Sequence, residues 1–215
     1  MVATLAALAY AKPHRIKNMI STRGASVTAH VQDTSEISPT SKEVKEETVL
    51  YKVRFAEGDP VEVSGLLWTR DGKLVYALST EGALWPSIIE KAYVFGHGGN
   101  SYETVSNSVT PHEAMRNILG SVIELRLKEK PRNLTSVLKR ANSRPTVADT
   151  WKAFVPPNTP TGFKVPGILE NHTYAVLGFE NGKVSVFDVL DGAVIDVALN
   201  TFKQAFESVN QAQLP

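Results

Sequence analysis

The chain has no cysteine in 215 residues. This excludes disulfides, zinc ribbons and thiol chemistry on its own side chains. An excess of one charge is missing too. Lys and Arg total 23 against 22 Asp and Glu, a formal net charge of +1, so the basic surplus that marks a dedicated nucleic-acid binder is absent. No apolar run approaches the roughly 18 to 20 residues that span a bilayer, and no internal repeat recurs at a solenoid period. Lack of cysteine does not fix the compartment. Met1–Ala11 (MVATLAALAYA) is apolar and ends Ala-Tyr-Ala like a cleavage site, but no Lys or Arg precedes it. Its alanines and leucines suit a buried helix equally well. A cytoplasmic location is expected, with secretion the alternative if Met1–Ala11 is a signal peptide.

What is present describes a folded protein. Hydrophobic residues make up 42% and charged residues 21% of a 23.5 kDa chain, a globular balance that fits one large domain or two small lobes. Leu5, Leu8, Ile16, Met19 and Ile20 mark apolar helical faces, interrupted at Pro13. Ala25–Val31 alternates like a strand. Gln32–Glu47, rich in Ser, Thr, Lys and Glu, reads as an exposed loop. Three strands are expected at Thr48–Phe55, Val61–Thr69 and Lys73–Ser79. Helices follow at Trp85–Phe95 and after the capping box Thr110-Pro111-His112-Glu113, which Gly120 closes. A shorter helix is expected at Leu134–Ala141. Strands resume at Thr173–Phe179, Val184–Val189 and Ala193–Leu199, joined by Asn181-Gly182 and Asp191-Gly192 turns. Asn200 is placed to cap a last helix with Phe202, Phe206 and Val209 on one face. The order of elements defines an α+β protein.

The histidines are His14, His30, His97, His112 and His172. None pairs with another at a metal-ligand spacing, so no metal site is expected. His112 has an ordinary place in a capped helix, and His97 lies in a Gly-His-Gly-Gly turn. His172 differs. It precedes a strand whose hairpin partner ends near Asp188, so one hairpin brings an imidazole and a carboxylate together. A carboxylate in that place fixes the ring tautomer and stabilises the imidazolium. An ordinary surface pair is the plain alternative.

Several segments together resemble the calpain family of papain-like cysteine peptidases. Leu84–Tyr93 (LWPSIIEKAY) followed by Asn100–Thr104 (NSYET) is similar to the family's Leu-Trp-Pro, Glu-Lys-Ala-Tyr and Ser-Tyr-Glu, in that order. Val61–Ala77 resembles the strand pair before that helix, with Ser64-Gly65 and Trp68 where the family has an acidic pair and a proline. Glu113–Gly120 resembles a helix ending in glycine. Asn171–Val176 (NHTYAV) is similar to Gly-His-Ala-Tyr-Ser-Val, whose histidine is the catalytic base. Phe187–Gly192 (FDVLDG) falls where the family has Arg-Asn-Pro-Trp-Gly, whose asparagine orients that base. The resemblance runs from near residue 1 to about residue 205. Core packing is the plain role for Trp85, Pro86 and Tyr93.

The resemblance implies a papain-like α+β fold of calpain type. An N-terminal helical part would precede a C-terminal antiparallel sheet-rich part, with His172 as general base and Asp188 as orienter. Residues 1–215 are then one catalytic domain: 1–31 the remnant of a first lobe, 32–47 a loop, and 48–215 the remainder with the histidine-bearing sheet. An aspartate favours the imidazolium more than a neutral amide does. Leu190 or a neighbour replaces the tryptophan that shields the pair. Leu5–Ala9 (LAALA) resembles the later part of the helix whose head bears the family's cysteine. Counting back puts that cysteine just before Met1 or at Met1-Val2, where the in-chain residue is the aliphatic Val2. The oxyanion-hole glutamine is missing as well. The expectation is an N-terminally incomplete peptidase domain acting on protein or peptide, inactive in this 215-residue form. The alternatives are a peptide-binding pseudopeptidase and a structural α+β domain. Calcium enters through the resemblance only. Asp33, Glu36, Glu43, Glu46 and Glu47 read as a solvated charged loop rather than as its ligands.

Overall fold

A computed structural model of the chain describes residues 1–32, 41–67, 69–70, 73–74, 77, 82–99, 105, 109–152 and 165–214. The backbone forms two units that interleave in sequence. One comprises Met1–Lys17, Phe55–Gly58 and Glu103–Pro215, the other Asn18–Arg54 and Asp59–Tyr102. The boundaries expected from sequence, 1–31, 32–47 and 48–215, do not coincide with these units. Helix α1 (Val2–Ala11) belongs with the C-terminal sheet because Leu5 and Leu8 are buried and the helix packs on strands of that sheet. Pro13 opens α2 (Pro13–Met19), a first-turn position where its missing N–H costs nothing.

The smaller unit is a three-stranded antiparallel sheet of β1 (Ile20–Gln32), β2 (Ser41–Val53) and β3 (Val61–Ser64), in that spatial order. The β1–β2 ladder runs unbroken from Ile20↔Val53 to Gln32↔Ser41. Residues 41–47 are therefore strand, which corrects the loop expected at 32–47. Their polar composition is overridden by the continuous row of backbone partners that β1 offers. Residues 33–40, with Asp33 and Glu36, lie outside the described residues. The strand expected at Val61–Thr69 breaks at Gly65, whose N–H turns to the Val49 carbonyl at 2.8 Å. It continues as β4 (Thr69–Arg70), paired with β5 (Lys73–Leu74). Trp68 and most of the span expected as strand beyond Leu74 fall outside the described residues.

Helix α3 (Trp85–His97) explains the Trp-Pro…Glu-Lys-Ala-Tyr segment physically. Ile88, Ile89, Ala92 and Tyr93 are buried. Glu90 accepts the Ala77 N–H at 2.5 Å, and burial pushes its carboxyl up despite that bond. Lys91 donates to the Ser64 carbonyl (3.1 Å), the Ser64 hydroxyl (3.0 Å) and the Leu66 carbonyl (2.7 Å). The ammonium thus meets three neutral oxygens, and burial lowers its pKa.

In the larger unit α4 (Pro111–Leu119) starts on the expected capping box. Glu113 N–H donates to Thr110 Oγ1 at 3.2 Å while Thr110 N–H donates to the Glu113 carboxylate at 2.9 Å. Thr110→Ala removes one half of that exchange. It is expected to lower unfolding stability by about 1 kcal/mol, read as a reduced urea midpoint at unchanged slope.

The chain then lays down β6 (Val122–Arg126), α5 (Leu134–Lys139), β7 (Thr146–Thr150), β8 (Thr173–Glu180), β9 (Lys183–Phe187), β10 (Val194–Ala198), α6 (Leu199–Ala205) and β11 (Phe206–Ala212). The strands make one antiparallel sheet in the order β10-β9-β8-β7-β11-β6. Helices α1 and α5 both pack on β8, which is why Tyr174, Ala175 and Val176 are buried in succession rather than alternately. The helix expected to carry Phe202, Phe206 and Val209 on one face ends early. Asn200 is not its cap: α6 begins at Leu199, and Phe206 opens β11 between β7 and β6. Two flanking ladders outweigh the helical spacing of those apolar residues. The architecture is α+β, with helices packed on antiparallel sheets.

Candidate active site

Thr150 fixes His172 before its ring makes any contact. The His172 N–H donates to Thr150 Oγ1 at 2.9 Å, and the Thr150 N–H donates to the His172 carbonyl at 2.9 Å. The Thr150 hydroxyl then donates to the Leu169 carbonyl at 2.8 Å. One residue earlier Asn171 adopts a left-handed φ of 50°, and its N–H reaches the Trp151 carbonyl at 2.8 Å. Asparagine tolerates this conformation well. Tyr174 meets the imidazole edge-on at 4.7 Å and continues into Phe206 and Phe202, so an aromatic column supports the ring. The Tyr174 hydroxyl accepts the Leu169 N–H at 2.8 Å. Burial, and then the Asp188 charge, raises its pKa.

Asp188 reaches the same face through a one-residue irregularity. The hairpin begins at Glu180↔Lys183, and its unbroken register would set Asp188 opposite Ala175, on the face away from His172. The register shifts between Val176 and Gly178, so that Ala175 pairs with Phe187 and the next position brings Asp188 level with Tyr174. A β-bulge at Leu177 therefore puts carboxylate and imidazole on one side. The strand expected to reach Val189 stops at Phe187, because Asp188 closes a turn. Its N–H donates to the Ala193 carbonyl (2.9 Å), its carbonyl accepts the Gly192 N–H (3.0 Å), and its Oδ1 accepts the Leu190 N–H (2.9 Å).

The two expected residues meet: His172 Nε2 lies 3.0 Å from Asp188 Oδ1. A carboxylate only accepts, so Nε2 carries the proton and, in the neutral ring, Nδ1 keeps the basic lone pair. The Asp188 side chain is 3% exposed and that of His172 16%. The carboxylate is dry while the ring retains an opening. Leu190 does not shield them, being 72% exposed.

A second polar group lies one residue along each strand, where Asp149 pairs with Thr173 across β7 and β8. Thr173 Oγ1 donates to Asp149 Oδ1 at 2.8 Å; Ser208 Oγ and Asn210 Nδ2 donate to Oδ2 at 2.8 and 3.0 Å. Asn210 Oδ1 faces His112 Nδ1 at 3.1 Å. Since the Asn210 amide nitrogen is committed to Asp149, His112 Nδ1 is the donor. Burial pushes the Asp149 carboxyl up to about 6 despite the bonds from Thr173 and Ser208. No sequence pattern marked Asp149, and nothing in the His112 capping position pointed to Asn210.

The amino group of Met1 also lowers the Asp149 pKa. Helix α1 packs on β7 and β8, and Val2 is its first helical residue. Of the other histidines, His14 is exposed and His97 stacks on Tyr93 at 4.8 Å as the last residue of α3. The side chain of His30 lies outside the described residues. Among the described residues no group of three or more His, Asp or Glu converges to hold a metal. Among them, too, no helix is long and apolar enough to cross a membrane.

An antiparallel sheet that presents an imidazole with a buried carboxylate behind it has the geometry that a general base and its orienting group require. Residues 19–190 match the profile of the calpain family cysteine proteases, a span that includes both His172 and Asp188. The chain belongs to that family. The calpain-1 catalytic subunit of Sus scrofa is 38% identical over 93 residues, covering 42% of this chain and 13% of that protein. That of Gallus gallus is 31% identical over 134 residues (60% and 18%), and the calpain-2 catalytic subunit of Homo sapiens 27% over 129 residues (59% and 18%). The chain spans less than a fifth of the length of these relatives.

Proposed function

We propose that His172 is the general base of a calpain-type peptidase site and Asp188 the residue that orients it. The observation that carries this is the 3.0 Å contact between His172 Nε2 and Asp188 Oδ1, which commits Nε2 and frees Nδ1. In the reaction Nδ1 takes the proton of a thiol as sulfur adds to the peptide carbonyl. The ring then returns that proton to the leaving amine as the C–N bond breaks, and water hydrolyses the thioester. Substrates in this reading are peptide bonds in proteins.

These 215 residues hold no thiol, so they are expected not to turn over peptide by this route. Incubated with casein, the purified chain should release no acid-soluble peptide. Cleavage by the cysteine-free chain that is lost in His172→Ala would overturn the assignment, because the base would then be serving another nucleophile. The same absence of cysteine favours a second reading, a peptide-binding pseudopeptidase. Its signature is affinity for unfolded peptide with no cleavage even after a thiol is supplied at the head of α1.

A further inference from the structure

We propose that Asp149 is a positioning residue for His172, and that a proton on its carboxylate weakens its hold on Thr173 and loosens the His172–Asp188 pair. This rests on the reading of His172 as the base. Asp149 and Thr173 are the last paired residues of the β7–β8 ladder before His172. Their side chains also bond across it, Thr173 Oγ1 donating to Asp149 Oδ1 at 2.8 Å. The next residue on each strand is the Thr150–His172 clamp. The tether and the clamp are thus consecutive rungs, and what moves Thr173 moves the backbone that aims the imidazole.

The partners of Asp149 are arranged to donate to an anion. Thr173 from β8 and Ser208 and Asn210 from β11 all donate to it. The charged or titratable groups around it are Glu207 on β11, the Met1 amino group on α1 and, through Asn210, His112 on α4. Oδ2 already has two donors, and the amide nitrogen of Asn210 cannot accept. An added proton therefore sits on Oδ1, opposite the Thr173 hydroxyl, where it turns the bond round and replaces a charge-assisted hydrogen bond with a weaker neutral one. Burial of the carboxylate raises its affinity for that proton into the mildly acidic range.

The test is nuclear magnetic resonance of the full chain labelled with 15N-histidine, following the low-field His172 Nε2–H proton from pH 7.5 to 5. In the wild type its solvent exchange is expected to rise at least threefold over that range, with an inflection separate from ring protonation. Asp149→Asn should remove that inflection. Thr173→Val should give fast exchange at every pH, and Thr173→Ser should restore the wild-type profile. If Asp149→Asn does not fold, the Thr173 pair decides alone. Profiles identical in wild type and Thr173→Val would overturn the proposal while leaving the His172–Asp188 pair intact. A wild type with no hydrogen-bonded Nε2–H signal at pH 7.5 would overturn the pairing itself, and this proposal with it.

Discussion

A cysteine introduced at Val2 should react with iodoacetamide at pH 5.5 about tenfold faster than a free thiol, and His172→Gln in that variant should remove the advantage. Val2 heads α1, whose unsatisfied N–H groups favour an anion. A free thiol, with a pKa of about 8.5, is ionised to roughly one part in a thousand at this pH, whereas a thiol paired with a histidine in a papain-type site is almost fully ionised. Thiolate abundance therefore gains about 10³. Lower basicity weakens the nucleophile by about 10², leaving a net gain of about tenfold. The helix head remains in the His172→Gln variant, so the difference between the two isolates the imidazole. Equal rates in both would place the head of α1 out of reach of His172.

The second large effect is on stability, and it is set by Asp149. Its folded pKa of about 6 lies above the ordinary carboxylate value of 3.8. Between these values the folded state holds more protons than the unfolded chain, so stability from this group falls as pH rises. It is fully present below about pH 4 and lost above about pH 6. The shift corresponds to about 2–3 kcal/mol. Asp149→Asn removes the titration, and the variant should therefore gain about 2–3 kcal/mol relative to wild type between pH 4 and pH 7. Urea unfolding of both proteins at several pH values measures this difference directly. A stability gap that does not change with pH would show that Asp149 titrates as an ordinary exposed carboxylate.

The sequence made some of this arrangement legible because local chemistry decided it. The Thr110–Glu113 box, the Asn181-Gly182 turn and the pairing of His172 with Asp188 all follow from residues close together along the chain or on one hairpin. The bulge at Leu177 was hidden, although the hairpin reading depends on it. Its trace in the sequence is Gly178, an in-strand glycine that marks a local irregularity. β11 was missed because Phe202, Phe206 and Val209 satisfy a helical period and the two strands that capture Phe206–Ala212 are distant in sequence. The Asp149 group was illegible for the same reason: Thr173, Ser208, Asn210 and His112 meet only once the sheet order is known. Polar residues at 41–47 looked like loop because strand propensity is weak beside a full ladder.

The most direct test of the base assignment is the tautomer of His172, read from the 15N shifts of its ring nitrogens at pH 8. The 3.0 Å bond to Asp188 predicts a protonated Nε2 and a bare, pyridine-type Nδ1, with both signals collapsing towards an average in Asp188→Ala. A proton on Nδ1, or a wild-type ring that averages between tautomers, would contradict the assignment of His172 as a base held in place by Asp188.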